Sequence, residues 1–158
     1  MASKKLMYLL AFLGILMLPY CNPIQVFEKN TTIPGSRWSR NFKATGTFEI
    51  TDTSSFHNIY IVLRHTDAYA YNNIWLNIGV KSPGDSMRFQ KLDLSLGNDR
   101  EGWEGTGMND IWEVRKLIFG QPRRFVRPGV YEFSISHIMR DDPLPHVMSA
   151  GLRVEKAP

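Results

Sequence analysis

The chain has 158 residues, enough for one domain with a sizeable core, and 43% of them are apolar. That is ordinary globular usage and points neither to disorder nor to a membrane bundle. The formal charge is +4, two of those charges being Lys4 and Lys5, and no Lys/Arg run is longer than Arg123-Arg124, which argues against a nucleic-acid partner.

Lys4-Lys5 precedes an uncharged apolar run over residues 6–18. The run is shorter than the roughly 20 residues that cross a bilayer and has the length of a signal-peptide core. Residues 1–20 are therefore expected to be a lipoprotein-type signal peptide on an exported chain. The only cysteine, Cys21, follows at once. A lone cysteine forms no internal disulfide. As a buried small hydrophobe it would belong to the core, but its place at the end of the leader favours lipid attachment. In that reading the thiol takes a diacylglycerol, and the amine freed by cleavage takes a further acyl chain such as palmitate. Several chains anchor stably where one binds marginally, each buried CH₂ adding about 0.8 kcal/mol. Tyr20 stands where such signals carry a small residue.

Residues 21–35 read as a tether with a candidate edge strand over 24–28, and residues 36–158 as a β-sandwich domain. From Trp38 onward, short β-type runs alternate with turn residues: 38–42, 45–51, 58–64, 73–80 and 88–96. Between 64 and 73 the Asp and Asn residues favour a turn and the flanks are β-branched and aromatic. That segment is expected to be a hairpin or a tight corner joining a central strand pair. Residues 97–110 read as a glycine-rich loop. Residues 111–119 fit a strand or a short helix equally. Residues 130–138 give the clearest alternation, with Tyr131, Phe133 and Ile135 on one face, and 147–155 is a last strand. Eight or nine strands at this spacing without a long helix predict an all-β, antiparallel, jelly-roll-like sandwich.

No catalytic constellation emerges. His57, His65, His137 and His146 lack metal-ligand spacing, and no nucleophile elbow is present. The acidic loop holding Asp99, Glu101, Glu104 and Asp110 is open to three readings: weak calcium ligands without the EF-hand pattern, a carboxylate pair for glycoside hydrolysis, or a solvated corner plugged by Trp103. Rigid amphipathic rings stack on sugars or on protein partners. Burial is expected for Trp75 and Trp112, while Tyr69, Tyr71 and Trp103 are the surface candidates. With Arg64, His65, Asp67, Asn72 and Glu104 they make up a candidate interaction surface. No cofactor is indicated.

Three blocks carry a family resemblance. Leu63-Arg-His-Thr-Asp-Ala-Tyr-Ala-Tyr-Asn-Asn-Ile-Trp-Leu76 is the first. Gly102-Trp-Glu-Gly-Thr-Gly107 with Asp110-Ile-Trp112 is the second. Residues 128–140 with Pro143-Leu144 and Gly151-Leu-Arg153 form the third. Together they resemble the gliding-motility lipoprotein GldH family over roughly residues 38–156. The resemblance implies a non-enzymatic lipoprotein anchored to the outer membrane and facing the periplasm. It also implies protein partners in the motility machinery and its linked secretion apparatus. The first residues after Cys21 lack the acidic cluster of a surface-export signal, which favours the periplasmic side. A carbohydrate-binding module for envelope glycan is the alternative from the residues themselves.

Overall fold

The computed structural model describes residues 26–158. The leader, Cys21 and the first part of the tether lie outside the described residues. β1 (Val26–Thr32), β2 (Arg37–Trp38), β3 (Ala44–Ile50) and β4 (Phe56–Thr66) come first. β5 (Asn73–Lys81) and β6 (Arg88–Ser95) follow, then three short pieces, β7 (Gly97–Asn98), β8 (Gly102–Trp103) and β9 (Thr106–Met108). β10 (Ile111–Leu117), β11 (Arg123–Arg124), β12 (Gly129–His137), β13 (Leu144–Pro145) and β14 (Val147–Lys156) complete the described chain.

One sheet runs β1-β14-β4-β10-β9, with β11 against the start of β4, and the other runs β3-β12-β5-β6. The eight long strands pair antiparallel as the first with the last, β3 with β12, β4 with β10 and β5 with β6. A hairpin folded double in this way and wrapped into two facing sheets is a jelly roll. The expected antiparallel sandwich is the observed one.

Alternation explains which faces meet. Ile74, Leu76 and Ile78 of β5 and Tyr131, Phe133 and Ile135 of β12 are buried. They face Ile61 and Leu63 of β4, Val114 of β10 and Leu152 of β14, which are buried too. Full burial of each such side chain contributes about 1.5–3 kcal/mol. The same rule corrects one expectation: with Ile74 and Leu76 inside, Trp75 must point outward, and it is 42% exposed. Trp112 is half-buried.

Other local expectations also shift. Of the strand foreseen over 24–28, residues 24–25 lie outside the described residues and 26–28 belong to β1, which continues to Thr32 and pairs along its described length with β14. Residues 38–42 give a single strand residue, Trp38, the second of β2. The chain then turns, with the Phe42 amide donating to the Ser39 carbonyl at 2.9 Å. The buried Trp38 ring donates its Nε1–H to the Phe42 carbonyl at 3.0 Å, so a large ring is buried without an orphaned donor. The 97–110 loop carries β7, β8 and β9, and 111–117 is a strand. β4 and β5 are no pair: they lie in different sheets, so residues 67–72 are a corner between sheets.

Candidate functional site

Antiparallel pairing gives the sandwich two distinct ends. At the first, β4 finishes and β5 begins, and the sequence-derived candidates gather here. The His65 ring meets the Trp103 ring edge-on, centroids 4.7 Å apart, and the Tyr69 ring at 5.6 Å. Tyr69 in turn packs edge-on against Tyr71 at 5.8 Å. The cluster faces inward. His65 is fully buried and Tyr69 is 4% exposed, which corrects their assignment to an interaction surface. Trp103 and Tyr71 are half-buried. Tyr69 sits in the corner, outside any strand's alternation, and is drawn in because its ring fills the gap between the sheets. Its hydroxyl donates to the Asn73 carbonyl at 3.1 Å.

Electrostatics follow from that burial. Loss of solvent holds the His65 imidazole below its ordinary range, partly offset by its hydrogen bond to the Thr66 carbonyl. Burial pushes the Tyr69 hydroxyl well up. Tyr71 donates to Asp141 Oδ2 at 2.8 Å, and that bond raises its hydroxyl too. Around this plug the polar candidates are committed to neighbours. Arg64 Nε donates to Glu113 Oε2 at 2.6 Å, and Asn72 Nδ2 to Asp99 Oδ1 at 2.8 Å. Glu104 accepts from Ser95 Oγ at 2.6 Å and pairs with Lys116, whose hydrogen bond pulls the carboxyl down. The exposed Asp67 anchors the corner through its amide, which donates to the Asp110 carbonyl at 2.8 Å.

The four loop acids are not brought together. Glu101 accepts from Asn98 at 3.1 Å, Asp99 is held by Asn72, Glu104 by Lys116, and Asp110 is exposed. Among the described residues no three His, Cys, Asp or Glu side chains converge as metal ligands.

The second end, where β4 starts and β12 starts, is built differently. A cavity of about 440 Å³ opens between the sheets, within the roughly 300–1,000 Å³ span of small-molecule sites. Its floor is Phe48, Ile78, Phe125, Tyr131 and Leu152, and its mouth carries Arg88, Arg123, Arg124 and Arg127 with Asp85. The inward face of β6 runs Leu94, Leu92, Gln90, Arg88, so it turns polar where the cavity opens. Arg127 donates to the Pro83 carbonyl at 3.0 Å, and Arg88 pairs with Asp85 at 3.1 Å. The Arg123 and Arg124 guanidiniums lie over the Phe119 and Phe56 rings, 4.6 and 4.4 Å from the centroids. In sequence the only sign of this end was the dibasic pair between two phenylalanines.

A family model described as GldH lipoprotein matches residues 25–154. The chain is 24% identical over 151 residues to the gliding motility lipoprotein GldH of Flavobacterium johnsoniae, covering 91% of this chain and 92% of that protein. It is 23% identical over 150 residues to a gliding motility lipoprotein GldH homolog of Christiangramia forsetii, covering 90% and 91%. No solved structure matches the chain.

Proposed function

Since the chain belongs to the GldH lipoprotein family, we propose that it is exported and held to the outer membrane through lipid on Cys21. We propose further that the sandwich faces the periplasm as a non-enzymatic accessory subunit of the gliding-motility and linked secretion machinery. The observation that carries this reading is the joint layout of leader, cysteine and fold. An apolar leader ends at the sole cysteine, and the first strand begins five residues later at Val26, so almost nothing separates anchor from folded body. Confinement to a membrane raises the domain's effective concentration for partners on the same surface. The names of the two relatives support the lipoprotein and motility parts.

The glycan-binding alternative needs open ring faces at Tyr69, Tyr71 and Trp103, and the burial of Tyr69 leaves it without that platform. The reading is tested by feeding cells a clickable fatty acid and comparing wild type with Cys21→Ser. Label and membrane retention should vanish together in the variant. A variant that keeps both defeats the anchor, and mild crosslinking of the wild type that captures no motility or secretion component defeats the accessory role.

A further inference from the structure

We propose that the open end of the sandwich binds one acyl chain bearing an anionic head group, with the chain between the sheets and the head on Arg123 and Arg124. The floor is apolar and lined from both sheets, so it recognises hydrocarbon. The mouth is cationic, so it recognises the head. Arg123 and Arg124 form no ion pair among the described residues. Both are exposed and held by stacking on rings, which leaves their forked donors free for a carboxylate or phosphate. Arg88 and Arg127, already engaged with Asp85 and Pro83, add field without being consumed. At the same mouth Val126, which lines the cavity, is 89% exposed. An inorganic anion leaves the floor unfilled, and a neutral lipid leaves the arginines unmatched. An anionic amphiphile satisfies both.

The membrane as the source of that ligand rests on the proposed anchor; the site itself does not. β1 starts at this same end, and the five residues from Cys21 to Val26 span at most about 18 Å when extended. A lipid on Cys21 would therefore hold the cavity mouth close to the head groups.

The test uses the chain from Asn22 onward, which retains every described strand and lacks Cys21, so its outcome is independent of the anchor. Delipidated protein is titrated below the micellar limit with palmitate, lysophosphatidylglycerol, neutral monopalmitoylglycerol and inorganic phosphate, read by native mass spectrometry. One saturable equivalent of either anionic amphiphile is expected, with the neutral lipid weaker by about ten-fold and phosphate silent. Arg123→Ala with Arg124→Ala should weaken the anionic amphiphiles by about ten-fold while leaving monopalmitoylglycerol unchanged. Gln90→Trp, at an exposed position on the cavity wall, should abolish all amphiphile binding without shifting the unfolding midpoint. Equal affinity for charged and neutral lipid, binding indifferent to both variants, or multiple unsaturable equivalents would overturn the proposal. Loss of label from Cys21 in cells would leave it standing and judge only the anchor.

Discussion

Three buried histidines should make this fold lose stability in mild acid, above the range where carboxylates protonate. His65 and His137 are fully buried and His57 is 6% exposed. Burial is the leading cause that holds each imidazole below its ordinary range. His65 shows why. Nδ1 faces the Thr66 carbonyl at 2.9 Å, which assigns it the proton, while Nε2 is buried with no partner. A second proton would sit on that orphaned atom, between the rings of Trp103 and Tyr69. His137 packs on the Trp38 ring, centroids 5.5 Å apart, and its charged form is favoured by the Trp38 backbone and, less, by Asp142 and Asp141, against Arg40. His57, on Phe125, has the Ser55 backbone and then Asp52 in its favour and Lys156 against it.

The sign follows from linkage. The folded-state value is depressed, so the unfolded chain binds protons first as pH drops. Stability is therefore complete above about 6.5 and is lost below it. Each histidine kept neutral costs about 1.4 kcal/mol per pH unit below that point, so three together cost up to about 4 kcal/mol per unit. Against a typical total of about 5–15 kcal/mol, one unit of acid is a large fraction. The depressed carboxylates Asp52, Glu28, Asp85 and Glu104 lose their contribution only as pH falls through about 5 and below, which leaves the window from 7.5 to 5.5 clean. Urea unfolding at pH 7.5, 6.5 and 5.5 measures the slope, and His137→Phe, which keeps a ring against Trp38, should remove about a third of it. A stability flat from pH 7.5 to 5.5, or a slope untouched by His137→Phe, would refute the reasoning.

Three further outcomes are expected at other points of the fold. Trp103→Ala, which unplugs the closed end beside His65 and Tyr69, should cost about 3 kcal/mol in urea unfolding, and Tyr69→Phe about 1 kcal/mol through the lost bond to Asn73. Gly105 has φ +94, and a Cβ there would collide with the Glu113 carbonyl. Gly105→Ala should therefore destabilise by more than about 2 kcal/mol, seen as a lower thermal midpoint. Arg153 joins Glu28 of β1, at 2.8 Å, to Glu155, at 2.7 Å. Arg153→Met should cost about 1–2 kcal/mol, less at high salt, and increase amide exchange in β1.

What the sequence displayed and what it concealed divide along a physical line. Period-two burial is a local property, so β12 and β14 could be read directly, and β5 contained the outward Trp75 once Ile74 and Leu76 were assigned inside. The tendency of tryptophan to be buried is only an average, and the strand's pleat overrode it. The corner at 67–72 is different in kind. The same Asp and Asn residues suit a hairpin that pairs β4 with β5 and a corner that separates them. Only the competition of β10 and β14 for the two edges of β4 decides between these, and those partners lie 45 or more residues away. Tyr69 inherits that ambiguity, because a corner residue has no alternation to say which way it points.

The open end is the extreme case. Its floor takes single residues from β3, β5, β12 and β14, and its mouth takes arginines that look like ordinary solvated charge in sequence. Gln90 and Arg88 continue the face of Leu94 and Leu92 but are themselves exposed, so a face that is core at one end of the strand becomes solvated cavity wall at the other. One end of the fold is sealed by four aromatic rings, while the other opens over an apolar floor with arginines at its mouth. Filling that end with an apolar wedge at Gln90 should leave stability intact while removing the ligand. A core left open for packing reasons alone would instead gain stability from the wedge.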